Sequence, residues 1–194
     1  NGVTSIGISA FYTCRSLTSI TIPDSVTSIG ERGFYQCIKL TSINVGVGNL
    51  NYSDIDGVLF NKEKTLLHTY PADKTGANYT IPDSVTSIGR GSFFQCTSLT
   101  SITIGSSVTS IGELAFSQCR KLKSITIPDS ITNIGGRAFY GCASLTAVTF
   151  LGDAPSTAKD IFYKASPTIY RKPEAKGWGD TFAGRPVKLI SEKP

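Results

Sequence analysis

The sequence predicts a solenoid of stacked coils, each about 23 residues long. Three observations predict it. Segments beginning at Ile20, Tyr79, Ile102 and Ile125 align over 23 residues, and a partial copy runs from Val3 to Ser19. Cysteines mark the register, with Cys14 and Cys37, Cys96 and Cys119, and Cys119 and Cys142 each 23 apart. The apolar positions of the copies fall into columns. A single coil of this length cannot bury its own apolar face, whereas a stack buries a continuous one.

The first column is Leu17, Leu40, Leu99, Leu122 and Leu145. Three residues on stand Ile20, Ile43, Ile102, Ile125 and Val148, and two further Ile22, Val45, Ile104, Ile127 and Phe150. The spacing L-x-x-I-x-I is the leading half of a leucine-rich repeat. Its I-x-I part alternates with Thr or Asn and predicts a short strand with one face inward. Pro23, Pro82 and Pro128 lack an amide donor and end that strand. Gly30, Gly89, Gly112 and Gly135 follow, and positive φ is expected there. The last half, as in Ala115-Phe116-Ser117-Gln118-Cys119, suits a short helical turn on the outer side with Phe and Cys inward. Its Phe column is Phe11, Phe34, Phe93, Phe116 and Phe139. Each coil thus offers about seven apolar side chains for burial, each worth ~1.5–3 kcal/mol.

Between Cys37 and Cys96 the gap is 59, that is 23 plus 36, so one coil carries an insertion. The insertion is placed at 46–78. Gly57–Phe60 and Thr65–Tyr70 are strand-like runs around the polar loop Asn61–Lys64, which predicts a β-hairpin projecting from the third coil. After Phe150 the period stops. Residues 151–194, with Trp178, are expected to form a C-terminal cap packed on the last coil, so that 1–150 and the cap make one structural domain. The chain opens in the middle of the unit, at Asn1–Gly7, and further repeats are expected ahead of it.

These residues resemble the BspA-like (Treponema-type) bacterial surface leucine-rich repeats, whose pattern is close to L-x-x-I-x-I-P-x-x-V-x-x-I-G-x-x-A-F-x-x-C. The match runs from Val3 to about Phe150. Gly105 stands for the Pro, Gly33 and Ser92 for the Ala, and Tyr79 for the first Ile. The resemblance implies a curved, right-handed leucine-rich-repeat solenoid of about six coils, with short parallel strands on the concave face and helical or irregular turns on the convex side. It also implies a non-enzymatic module for protein binding or adhesion, extracellular or on the cell surface. No catalytic residues belong to the family.

Composition narrows the function. The net charge is +5, with 17% charged and 40% hydrophobic residues. No basic run exceeds the short cluster Arg120, Lys121 and Lys123, so nucleic acid is not an expected partner. No apolar run reaches the ~18 residues of a membrane span. The cysteines lack C-x-x-C spacing, which argues against zinc. A column of buried, reduced thiols is favoured over disulfides between neighbouring coils. Asp54 and Asp56 beside Asn51 suit a turn better than a calcium loop. The single His68 is expected in solvent on the hairpin, with no nucleophile elbow elsewhere. No catalytic, cofactor or metal site is therefore predicted.

One surface remains free. Ser19 and Thr21, Ser42 and Asn44, Ser101 and Thr103, Ser124 and Thr126, and Thr149 form a neutral hydroxyl ladder on the concave face. Thr also favours strands for its own sake, and cross-strand Thr pairs are stabilising. The ladder is the candidate docking surface for a host-matrix or other cell-surface protein, with a glycan as a second class of partner. Tyr12, Tyr35, Phe94 and Tyr140 compete with it from the convex side, and the hairpin from the third coil. The chain is expected to act as a monomer. The alternative function is a passive spacer in a longer surface protein.

Overall fold

The computed structural model describes residues 2–193. It is a β-solenoid of about 7 turns of ~23 residues with almost no helix. The L-x-x-I-x-I halves form strands in parallel register. Ser19–Ile22 pairs with Ser42–Val45, placing Ile20 beside Ile43 and Ile22 beside Val45. Ser124–Ile127, Ala147–Phe150, Thr168–Arg171 and Arg185–Leu189 continue the same face further along. The V-x-x-I-G segments build a second ladder of two-residue strands, among them Ser87–Ile88, Ser110–Ile111 and Asn133–Ile134.

The outer half of each coil is a chain of turns rather than a helical turn, and the backbone shows why. Arg32, Leu114 and Arg137 take φ of 58°, 58° and 55°, and four residues later Gln36 and Gln118 take 61° and 62°. Two left-handed residues per coil preclude helical φ/ψ. The amides bond instead to the next coil. Phe93, Phe116 and Phe139 N–H donate to the carbonyls of Ala115, Ala138 and Ile161 at 2.8, 2.8 and 2.9 Å. Hydrogen bonds between coils thus run along three sides of the stack. In the described residues the helical exception is the short 3-10 turn Ile190–Glu192, and no helix is long and apolar enough to cross a membrane.

The repeat glycines do not take positive φ, contrary to expectation. They are glycine because the neighbouring coil's backbone lies against them. A Cβ on Gly135 would stand 2.4 Å from Glu113 N, on Gly112 2.8 Å from Arg90 N, and on Gly30 2.5 Å from Ile8 N.

Inside, the Phe column stacks ring on ring. Centroids are 5.1 Å apart for Phe93 and Phe116, 5.2 Å for Phe116 and Phe139, and 5.5 Å for Phe139 and Phe162. Offset stacks at such distances add ~0.5–1.5 kcal/mol each beyond the area they bury. The thiols line the core beside them. Cys37, Cys119 and Cys142 Sγ–H each donate at 3.0 Å to the carbonyl of Phe11, Phe93 or Phe116 in the preceding coil. All five cysteines are free and four are buried, while Cys14 in the first described coil is exposed. Burial pushes the Cys37 thiol up to about 11 and raises Cys119 and Cys142 further, so these thiols stay protonated at neutral pH.

Two segments differ from expectation. The insertion does not project. Its strands Tyr52–Ile55, Val58–Asn61 and Leu66–Thr69 form an antiparallel meander whose last member pairs in parallel with Ser87–Ile88. Val58, Leu59, Phe60 and Leu67 are fully buried. Alternation sends Val58 and Phe60 into the main core and Leu59 into a smaller core formed with Ile6, Ile22 and Ile43. The meander is therefore a structural plate between two parts of the stack, and Tyr70 takes the Phe position in its coil, 5.2 Å from Phe93.

The segment after Phe150 continues the solenoid for another turn. Ser156–Thr157 pairs with Asn133–Ile134, and Thr168–Arg171 with Ala147–Phe150. Ile161, Phe162 and Ala165 are buried where Ala138, Phe139 and Cys142 lie one coil earlier. Only beyond Arg171 does the pattern change. There Thr181–Phe182 folds back antiparallel on Arg185–Leu189, and Trp178 packs 4.9 Å from Phe150 and 4.8 Å from Phe182.

Candidate functional site

Strand alternation turns the candidate hydroxyls outward. Ser19, Thr21, Asn44, Ser101, Thr103, Ser124 and Thr126 are exposed and Ser42 is half-buried. Registration places Ser19 beside Ser42, Thr21 beside Asn44, and Thr126 beside Thr149. Thr149 does not belong to the free surface. It is 6% exposed, and Lys193 Nζ donates to its Oγ1 at 3.1 Å. The C-terminal strand Arg185–Leu189 brings that lysine across the end of the row.

The row is not one continuous sheet. The meander separates Ser42–Val45 from the strand Asn78–Thr80, which pairs with Ser101–Thr103. A second break lies between Ser101–Thr103 and Ser124–Ile127, which are not paired. Ser101, Thr103, Ser124 and Thr126 line a shallow groove at this break. The sequence places these four hydroxyls together on one face, whereas the opening between their strands appears only in the structure.

The other candidates resolve as structure. Asp54 Oδ1 accepts from Val45 N at 2.8 Å and its Oδ2 from Gly57 N at 3.4 Å, while Asp56 takes a left-handed φ of 54°. These are the tasks of turn residues. His68 is not a solvated hairpin residue. It stands edge-on to Tyr52 at 6.2 Å, and its Nδ1 lies 2.8 Å from Thr69 Oγ1. Burial, opposed by a hydrogen bond with the Ile29 backbone, lowers its pKa to about 4. Its ring is therefore neutral at physiological pH, and it serves as a wall of the plate. Tyr52 acts there too, its hydroxyl accepting the Ile29 amide at 2.8 Å where the first coils lack a strand neighbour.

Two further positions matter that the repeat alone did not mark. Asn49 is fully buried, donates to the Pro23 and Val26 carbonyls at 2.8 and 3.0 Å, and accepts the Asn51 and Tyr52 amides at 2.9 and 2.8 Å. It locks the entrance of the insertion to the second coil. Arg90 bridges Glu31 at 2.7 Å and Glu113 at 3.0 Å, spanning the shortened outer turn of the third coil. Each of these exposed pairs is worth ~0.2–1 kcal/mol. Among the described residues no three His, Cys, Asp or Glu side chains gather as a metal site.

On the outer side, Tyr12 is 46% exposed and stacks on Tyr35 at 6.1 Å, Tyr35 stacks on Phe94 at 3.8 Å, and Tyr140 stacks on Tyr163 at 5.7 Å. These rings form a column of their own beside the buried Phe column.

Comparison with known proteins agrees with this architecture. The family described as the BspA type leucine rich repeat region, in six copies, matches residues 1–75 and 72–171. A leucine-rich repeat protein of Eubacterium ventriosum ATCC 27560 is 32% identical with a TM-score of 0.80, over 88% of this chain and 46% of that one. The pneumococcal vaccine antigen PcpA is 25% identical, TM-score 0.69, over 91% and 51%. A leucine rich cell surface protein of Faecalibacterium prausnitzii A2-165 is 28% identical, TM-score 0.66, over 89% and 52%. The chain thus spans about half the length of these structures. None of the curated proteins matches it. The repeat columns, the register of the coils and the extent of the family match lead to one conclusion: the chain belongs to the BspA type leucine-rich-repeat family.

Proposed function

We propose that this chain is a non-enzymatic protein-binding module of a secreted or cell-surface protein, docking through the exposed hydroxyl row. The observation that carries this is the division of labour within the coil. Core, stacking and turns absorb most side chains, whereas Ser101, Thr103, Ser124 and Thr126 project beside an open groove, their hydroxyls without a hydrogen-bond partner among the described residues. Membership of a repeat family consistent with protein interaction supports the reading, as does similarity to a protein described as a cell-surface one. Unpaired strand edges and free hydroxyls at the groove offer directional contacts to an extended segment of a partner protein.

The test is binding to immobilised extracellular-matrix and bacterial surface proteins, comparing the chain with a variant carrying Ser101→Ala, Thr103→Ala, Ser124→Ala and Thr126→Ala. A loss of at least tenfold in affinity is expected, with little change in melting temperature because all four residues are exposed. Unchanged affinity for a confirmed partner would remove the row from consideration. Failure to bind any member of the panel would favour the passive spacer.

A further inference from the structure

The outer aromatic column is built as two blocks. Tyr35 stacks on Phe94 at 3.8 Å in one, and Tyr140 on Tyr163 at 5.7 Å in the other. The coil between them carries Ser117 at the aromatic position, and that serine is fully buried. The surface between the blocks is therefore a shallow groove with a closed floor. It encloses about 430 Å³ between Phe94 and Tyr140, over Leu114, Gln118, Arg120 and Arg137. An occupant lies along the groove, against the half-buried Phe94, Leu114 and Tyr140, without entering the core beneath.

The charge of the groove has one sign. Arg120 and Arg137 line it, and no Asp or Glu does so among its described lining residues. Neither arginine forms an ion pair with a described residue. Glu113, next to Leu114 in the chain, is held instead by Arg90 at 3.0 Å. Both groove arginines are exposed, yet Arg120 is fixed. Its Nε–H donates to Gln118 Oε1 at 3.0 Å, and the Gln118 amide lies against Gly141, where a Cβ would come within 2.8 Å of Nε2. A guanidinium tethered at Nε, with its two terminal nitrogens free of described partners, suits a carboxylate in bidentate fashion. Lys164 adds positive charge at the far block, its Nζ 5.7 Å from the Tyr140 ring centre and 5.8 Å from that of Tyr163. Tyrosine and arginine are also the residue types that dominate binding energy at protein interfaces, and the hydroxyl row has neither.

We infer that the groove between the two aromatic blocks is a second docking surface, for an acidic, extended segment of a partner protein. Carboxylates of the segment meet Arg120 and Arg137, and its apolar side chains rest on Phe94, Leu114 and Tyr140. A chain laid across the surface needs no opening in the floor. The groove shares no residue with the hydroxyl row, so either surface can fail alone.

The test is fluorescence anisotropy with a labelled octapeptide of alternating Glu and Phe as the probe. Its Gln-for-Glu counterpart is the neutral control, and a hyaluronan tetrasaccharide is the competitor. The acidic peptide should bind saturably, and the neutral one at least tenfold more weakly. Arg120→Gln with Arg137→Gln should lower affinity for the acidic peptide at least tenfold while the melting temperature holds, because both side chains are exposed. Lys176→Gln with Lys188→Gln makes the same change of net charge at exposed positions outside the groove, and should bind as the unaltered chain does. The inference is overturned if the acidic peptide does not bind saturably, or if the arginine variant binds as the unaltered chain does. Equal losses in the two double variants overturn it as well, since binding would then follow net charge alone. So does a hyaluronan tetrasaccharide that displaces the peptide and binds more tightly, which would make the groove a polysaccharide surface.

Discussion

Phe116→Ala is expected to destabilise the chain by ~3–5 kcal/mol, the usual cost of truncating a fully buried Phe without collapse of the cavity. The ring is fully buried and stacked on both sides, 5.1 Å from Phe93 and 5.2 Å from Phe139. Its removal opens a void in the middle of the column, and the backbone ladders on three sides keep the neighbouring coils from closing on it. For a chain of this size ~1 kcal/mol corresponds to roughly 2–4 °C, so the melting temperature should fall by about 10 °C. Phe11→Ala is the internal comparison. Phe11 is only half-buried and stacks on one ring, Phe34, at 5.5 Å. Its loss should cost well under half as much. Equal costs by chemical denaturation would contradict a column whose strength comes from being stacked on both faces.

Gly135→Ala is the second large effect. An added Cβ would lie 2.4 Å from Glu113 N and 2.6 Å from Gly112 C, both backbone atoms that cannot swing away. Either the coils separate locally or the ladder hydrogen bond from Gly135 N to Ile111 O, 2.8 Å long, is lost. Overpacking of this kind costs ~1–3 kcal/mol, and the upper end is expected here because the obstruction is main chain. Gly7 occupies the same column and meets nothing within 4 Å. Gly7→Ala should therefore be nearly neutral. The pair separates two causes of glycine use, since a backbone demand for φ > 0 would apply to both positions, whereas close approach applies only where a coil lies behind.

The period, the strand columns and the buried thiols were legible because they repeat, and repetition averages out single substitutions. What repeats less was missed. The seventh turn is hidden because Ile161 and Ala165 stand where the motif has Ala and Cys, leaving Phe162 as its one match in that segment. Its strand is also registered 21 residues after its neighbour, Thr168 beside Ala147, rather than 23. The run Val58-Leu59-Phe60 carries the signal of a buried plate rather than a projecting hairpin. Three consecutive apolar residues in a strand imply burial on both faces, which a projecting hairpin cannot supply. The glycine column shows in the sequence that a Cβ is excluded, but not that the neighbouring coil's backbone excludes it. Thr149 left the candidate surface through Lys193, a contact 44 residues away in the chain.

Each coil is held by the next along the whole stack, through the segment after Phe150 as well as before it. Native-state amide exchange followed by NMR tests this most directly, since protected amides report the opening of the structure around them. Phe139 N–H, bonded to Ile161 O at 2.9 Å, should be protected to within about tenfold of Phe116 N–H, bonded to Ala138 O at 2.8 Å. Exchange of Phe139 N–H at the rate of an open chain, with Phe116 N–H still protected, would mean that the solenoid ends before Ile161 and would contradict the account.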